Sequence, residues 1–316
     1  MAIAIAPLLG IAGFVVDAGD AYLTHRQAQA GADASALAAA QGLPNLDQAG
    51  GLLSSYATKN LPGGTITAVY SSTYIANDTV TTTAKQTRGT FFAKVVGINN
   101  FTATAQATAI HGSYQGWSGN VAPWATDKAT AQFGQIITFK VAPGDQASSG
   151  NFGGVDLPLV SLNCAIGQGG GAYYDLIRNQ EHACVVKKGD QLPPEPGDKA
   201  NTGKALQDRG AIKPFDPWSI IRTLPDGSYG LTTYTHPNLI VIPIIDAFHN
   251  GSSAPFNVVG MAWFIITDYT AKTVTGMFLR AEARPGAVCP TASDPNAPCP
   301  VGAYDPDGFG TVVFKS

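Results

Sequence analysis

The chain has 316 residues, 22 acidic and 19 basic, for a formal net charge of −3. That balance leaves no basic footprint for nucleic acid and no Lys/Arg cluster for an anionic membrane surface. Only 13% of residues are charged, about half the usual share, and 45% are apolar, so the length accommodates two ordinary domains with a sizeable core.

The first element is the longest. Residues 2–16 read AIAIAPLLGIAGFVV, an uncharged apolar run ended by Asp17 and Asp20. The stretch AYLTHRQAQAGADASALAAAQG follows, closed by Gly42 and Pro44. Alanine is the strongest helix former, only Gly31 interrupts residues 20–41, and Gly followed by Pro is a stop signal. The pattern predicts one nearly continuous helix of roughly 40 residues, about 60 Å long at 1.5 Å per residue. Ile3, Ile5, Leu8, Leu9, Ile11, Phe14, Val15 and Val16 make its first part greasy, while the rest is water-compatible. The apolar run is about 15 residues, short of the about 20 that span a bilayer. No Lys or Arg precedes it, so a cleaved signal peptide is disfavoured, and the numbering either starts inside a longer gene product or the run buries itself in protein. An ordinary buried core helix is the plain alternative. The expectation is that the run is covered from outside the chain, by lipid or by the same helix of neighbouring copies.

Residues 49–60 (AGGLLSSYATKN) suggest a short helix, and Pro62-Gly63-Gly64 a turn. Residues 65–70 (TITAVY) and 79–85 (TVTTTAK) are rich in β-branched side chains, with Asn77-Asp78 as a turn between them. Residues 90–96 (TFFAKVV) pair Phe91 with Val95 and Phe92 with Val96 at helical spacing, with Gly97 to close the helix. Residues 101–109 (FTATAQATA) alternate strictly, so that Ala103, Ala105 and Ala107 share a face with Phe101 and Ala109. That face is nearly flat. The long helix carries matching alanines, Ala28, Ala32 and Ala36 beside Leu37 at one spacing and Ala30, Ala34 and Ala38 at another. Small-on-small packing of helix on sheet explains both compositions, although alanine can also reflect genome base composition.

Residues 113–119 read as a linker, dividing the chain into a helix (1–43), an αβ domain (44–112) and a β-rich outer domain (120–316). In the last, residues 136–141, 239–245, 257–267, 273–281 and 311–314 are strand candidates, the central ones apolar on both faces and so placed between layers. Pro243 argues for an edge or a bulge. Residues 202–209 suggest a short helix, and long Gly/Pro loops run between.

The four cysteines, Cys164, Cys184, Cys289 and Cys299, form no C-x-x-C pair, which argues against a zinc ribbon or a thioredoxin-like site. They allow three pairings, of which Cys164–Cys184 and Cys289–Cys299 are the local ones. Four reduced thiols are the alternative.

Chemistry is hard to find. There is no H-E-x-x-H, G-x-S-x-G or Walker A loop. His25, His111, His182, His236 and His249 are scattered, and a lone histidine is more often a surface or capping residue than a ligand. Glu181-His182 next to Cys184 is not a catalytic pair by adjacency alone. Asp305-Pro306-Asp307-Gly308 lacks the later ligands of a calcium loop and reads as a turn. Gly167 to Gly171 is no dinucleotide fingerprint, and the three N-x-S/T sequons at Asn77, Asn100 and Asn250 arise readily by chance. The sequence names no catalytic residue, metal ligand, cofactor or small-molecule substrate. A cluster of exposed aromatics on one loop set, such as Trp117, Trp124, Tyr173, Tyr174 and Trp218, would favour a binding module.

The stretch GFVVDAGDAYLTHRQAQAGADASALAAAQG resembles the N-terminal region of TadE/TadG-like proteins of tight-adherence (Flp) pilus assembly. There an apolar segment is followed by Asp, a Tyr-containing turn, Arg, Gln and an Ala-Asp-Ala-Ala-Leu-Ala block. Asp17, Tyr22, Arg26, Gln29, Ala32, Asp33, Ala34, Leu37 and Ala38 follow that order. The blocks TFFAKVVGINNFTATAQATA, EPGDKANTGKALQDR and LIVIPIIDAFHNG extend the similarity. A basic residue usually precedes the apolar segment in the family, and type IV pilins usually carry Glu where this chain has Ile5. The D-x-S-x-S metal site of some TadG-like proteins has no proper counterpart, since Asp33-Ala34-Ser35-Ala36-Leu37 fails at its last position. The resemblance implies a structural, non-enzymatic protein of the cell surface, a pilus subunit or assembly component with its own copies or other pilus components as partners, and a membrane as the other cover for its helix. The alternative is a membrane-anchored adhesion module. The expected fold class is α+β: a long helix on a small antiparallel sheet, pilin-like, followed by a β-rich domain.

Overall fold

The computed structural model describes residues 2–142, 152–157, 170–180, 184–195, 199–223, 229–249, 254–279, 289, 297, 299–303 and 310–315, with the backbone alone for 2–12, 142 and 310. The fold is mixed α+β. It divides into two compact units, Met1–Gly112 with Val312–Ser316, and Ser113–Thr311. The second unit is thus an insertion in the chain path of the first, which the linear reading of the sequence does not contain.

In the first unit, α1 (Ala2–Gln41) is one uninterrupted helix and α2 (Leu46–Asn60) a second, followed by β1 (Thr65–Ser71), β2 (Thr79–Gly89) and β3 (Asn100–Tyr114). Asn45 starts α2 by accepting the amides of Asp47 and Gln48, both at 3.1 Å, which satisfies donors that the helix leaves open. The strands form an antiparallel sheet in the order β1-β2-β3. At the β1–β2 connection, where Asn77-Asp78 signals a turn, the Asp78 carboxylate accepts the amides of Thr73, Tyr74 and Ile75 at 2.7, 2.6 and 2.9 Å. Asn77 takes a left-handed φ of 58°. Threonines on the sheet's outer face hydrogen-bond across strands, Thr81 to Thr108 and Thr87 to Thr102, each at 2.9 Å. The chain returns to this unit at its end, where the amide of Lys315 donates to Thr108 O at 2.9 Å and Val312 packs against the alanine cluster.

The second unit begins at the last two residues of β3. It continues through β4 (Gly116–Ser118), β5 (Trp124–Asp127), β6 (Ile136–Ala142), β7 (Phe152–Gly154), α3 (Gly170–Arg178), β8 (Val185–Lys187), β9 (Gln191–Leu192) and α4 (Thr202–Asp208). Then come β10 (Ile221–Thr223), β11 (Tyr229–Leu231), β12 (Leu239–Ile245), β13 (Phe256–Tyr269), β14 (Thr273–Leu279) and β15 (Val301–Gly302), and β16 (Gly310–Phe314) leads back to the first unit. Where the Gly/Ser composition of residues 113–119 suggests a linker, β4 instead pairs with β8, and Trp117 is buried.

Six strands close on themselves: β12 pairs β13, β13 pairs β14, β14 pairs β6, β6 pairs β7, β7 pairs β5 and β5 pairs β12. A closed ring leaves those strands no free edge. It also explains why LIVIPII is apolar at every position. Ile240, Ile242 and Ile244 join a cluster that draws on all six strands, while Leu239, Val241 and Ile245 join a second cluster on the opposite face. The first of these clusters is aromatic, with Phe139 stacked on Phe152 at 4.3 Å and Phe264 against Phe278 at 4.8 Å. Pro243 lies beside a register shift between Ile244 and Ile245, where β12 pairs with β13 on one side and with the short parallel strand β5 on the other.

Candidate assembly surface

The second half of α1 is the docked half. Ala28, Ala32, Ala36, Ala39 and Ala40 are fully buried in one cluster with Val80, Ala84, Ala103, Ala105, Ala107 and Ala109, and Leu37 packs at its margin. Side chains this small let helix and strand backbones approach closely enough that Thr82 Oγ1 of β2 donates to the carbonyl of Ala32 at 2.9 Å. Gln29 adds a bond to Gln106 O at 3.2 Å and one to Asp33 at 2.7 Å. Of the two alanine spacings in the sequence, the one through Ala28, Ala32 and Ala36 faces the sheet. Of the other, Ala30 is exposed, Ala34 half-buried and Ala38 buried.

The first half of α1 is different. Phe14, Val15 and Val16 are exposed, Phe14 at 73%. Ile3, Ile5, Leu8, Leu9 and Ile11 lie on the described helical backbone, and their side chains fall outside the described residues. The loop between two strands of the sheet reaches this level. Residues 90–99 connect β2 to β3, and only Ala93–Val96 is a turn of 3-10 helix, closed by Gly97 at φ 89°. The Phe91–Val95 and Phe92–Val96 spacing suggests a short helix over residues 90–96, and the observed helical turn is shorter. Phe91, Phe92, Val95, Val96 and Ile98 are all exposed. The loop is held by Asp17, whose carboxylate accepts the amides of Phe91 at 2.8 Å, Phe92 at 3.1 Å and Ala93 at 2.7 Å. Partial desolvation pushes the Asp17 carboxyl up, but the Phe91, Ala93 and Phe92 amides and nearby Lys94 outweigh it and hold it below the usual carboxylate range. The ring of Phe92 lies over Gly13. A Cβ there would sit 2.7 Å from the ring, so only glycine permits this approach.

In the second unit, the aromatic residues suggested as a binding surface are mostly core. Trp117, Trp124 and Tyr173 are buried, Tyr174 is half-buried, and Trp218 is exposed with its ring edge-on to Tyr229 at 5.5 Å. Trp124 and Tyr173 fill the cluster shared by the closed strands and α3, while Trp117 packs edge-on against Trp263 in the cluster on the other face. Tyr173 donates and accepts inside that core, with Trp124 Nε1 at 2.6 Å and Thr202 Oγ1 at 2.7 Å from its hydroxyl.

A charged group lies next to it that the sequence does not signal. Lys199 and Glu195 are buried 3.7 Å apart, and the Lys199 ammonium stands 4.7 Å over the Tyr173 ring. Burial and a hydrogen bond shared with Asp156 push the Glu195 carboxyl up to about 7, against the opposing pull of Lys199. Glu195 and Lys199 are an i,i+4 pair, but Asp156 and Tyr173 come from separate segments, so local spacing does not assemble the whole group. Arg209, also buried, ties α4 to the ring through Pro237 O at 2.7 Å, Ile177 O at 2.8 Å and Leu239 O at 3.0 Å. These groups satisfy one another as a structural network does.

Cys289 and Cys299 are joined by a disulfide with an S–S distance of 2.10 Å. Cys184 is buried and disulfide-bonded, while Cys164 lies outside the described residues. Glu181, His182, Asn250 and residues 305–308 also lie outside them. His111 Nδ1 meets Leu43 O, and His236 stacks on Phe215. Among the described residues, no three His, Cys, Asp or Glu side chains are placed to hold a metal ion, and no helix is long and apolar enough to cross a membrane.

No curated protein and no solved structure matches this chain. Residues 1–42, the span of α1 and the glycine that follows it, match the family model described as Putative Flp pilus-assembly TadE/G-like.

Proposed function

We propose that the chain is a non-enzymatic, cell-envelope component of Flp pilus assembly, held in place by the apolar first part of α1. The observation that carries this reading is a coincidence of boundaries. The matched segment is a single helix, docked through Ala28, Ala32 and Ala36 and bare at Phe14, Val15 and Val16. Burial of apolar surface is worth about 25 cal/mol per Å², so an exposed run of this kind calls for a cover. In this reading lipid, or the same helix of neighbouring subunits, supplies it. The first unit is pilin-like in arrangement, a long helix on a small antiparallel sheet, and the disulfide-bonded second unit faces outward. Burial of Trp117, Trp124 and Tyr173 weakens the adhesion-module alternative, because three of its five candidate contact residues serve the core.

Deletion of residues 1–20 tests the reading by sedimentation without detergent. The shortened protein is expected to be a soluble, folded monomer, and the full chain to polymerise or to need detergent. A full chain that is equally soluble and monomeric overturns it.

A further inference from the structure

We propose that the loop of residues 90–99 is a second, interfacial membrane contact, inserted among lipid headgroups beside the apolar end of α1. The proposal rests on α1 entering a bilayer and says where the bilayer surface falls.

Scattered surface hydrophobics are ordinary, but a contiguous set is not. Phe91, Phe92, Val95, Val96 and Ile98 are all turned outward within eight positions, Val95 at 84% exposure, with Lys94 the single charge among them. Their position along α1 is fixed twice, by the ring of Phe92 on Gly13 and by the amides of Phe91, Phe92 and Ala93 on Asp17. That is the level at which the uncharged run ends. A helix buried up to Val16 places the loop in the interfacial zone, where aromatic side chains sit and a lysine can lay its stem along apolar surface with its ammonium in water.

The backbone suits a setting poor in water. Where water is scarce, polar backbone groups must be satisfied internally. The amides of Phe91, Phe92 and Ala93 go to Asp17, that of Thr90 to Asn99 O, Val95 to Phe92 O, Gly97 to Lys94 O and Ile98 to Ala93 O. The Thr90 hydroxyl takes the carbonyl of Ile98. A water-facing loop has no need of this economy, because solvent serves its amides. Asp17, the carboxylate nearest the apolar run, is held by three N–H donors, which lessens the cost of bringing it to the surface.

The test uses the full chain with a polarity-sensitive fluorophore on Val95→Cys, a site so exposed that the label displaces no packing. A second sample is labelled at Phe14→Cys. Both are mixed with phosphatidylcholine–phosphatidylglycerol vesicles, with and without a lipid carrying a nitroxide near its headgroup. The expected result is a blue shift and nitroxide quenching at both sites. Quenching at residue 14 without residue 95 overturns the loop contact and leaves the anchor standing. Quenching at neither overturns both. A blue shift at residue 95 that appears without vesicles and grows with protein concentration shows that a second copy covers the loop, and also overturns the proposal.

Discussion

The carboxylate of Asp17 and the backbone amide of Ala93 meet at 2.7 Å, although 76 positions separate them in the chain. This bond and its two neighbours at Phe91 and Phe92 join the helix, where its apolar run ends, to the loop between the second and third strands. A carboxylate that accepts several amides is stabilised in its charged form, and Asp17 titrates below the ordinary 3.8. The sign follows directly. A depressed carboxylate pKa contributes stability that is fully present above the unfolded value and is lost as pH falls through the folded one. The amides of residues 91–93 are therefore expected to keep their protection from hydrogen exchange at neutral pH and to lose it in acid. Asp17→Asn is expected to lower that protection at all pH values while leaving the amides of β2 unchanged. Equal protection in both proteins would show that the loop holds itself.

The helix–sheet contact is expected to tolerate no added volume. Ala32 is fully buried, its carbonyl bonded to Thr82. Ala32→Leu is expected to cost about 1–3 kcal/mol, the usual range for overpacking a well-filled site. Ala18→Leu, on an exposed part of the same helix, is expected to be near neutral. Urea unfolding of both variants measures the difference.

The buried carboxyl of the second unit gives it the opposite pH dependence. Glu195 is raised from 4.5 to about 7 by burial and by its bond with Asp156. The folded state therefore holds a proton that the unfolded state releases. Its contribution to stability is fully present below 4.5 and is lost as pH rises to about 7. Thermal unfolding followed by near-ultraviolet circular dichroism should show the second unit weakening over that window. Glu195→Gln is expected to flatten the slope.

Non-reducing peptide mapping is expected to link Cys184 to Cys164, beside the Cys289–Cys299 bond that closes a loop of sequence separation 10. In the chain-entropy account a short loop of this kind is worth about 3 kcal/mol, so reduction should lower the second unit's melting temperature before the first unit's. A peptide linking Cys184 to any other partner would refute the assignment.

The sequence by itself determined the elements whose signals are local. The 40-residue helix follows from alanine content and the Gly42–Pro44 stop. The strands at β1, β2 and β3 follow from β-branching and strict alternation, and β12 from an unbroken apolar run. The alanine faces of α1 and β3 could be matched before their contact was seen, because flat surfaces need flat partners. Tertiary structure alone decided what depends on residues far apart. It left Phe91, Phe92, Val95 and Val96 exposed, on a loop whose first amides are held by Asp17 of the distant helix. It drew Trp124 and Tyr173 into the cluster shared by the six closed strands and Trp117 into the cluster on the other face, and no periodicity announces either. It brought Asp156 and Tyr173 to the Glu195–Lys199 pair from separate segments, and it returned Val312 to the first unit after the whole of the second. Hydrophobic period and helix propensity act over a few residues, whereas burial and long-range hydrogen bonding exist only once the chain has closed on itself.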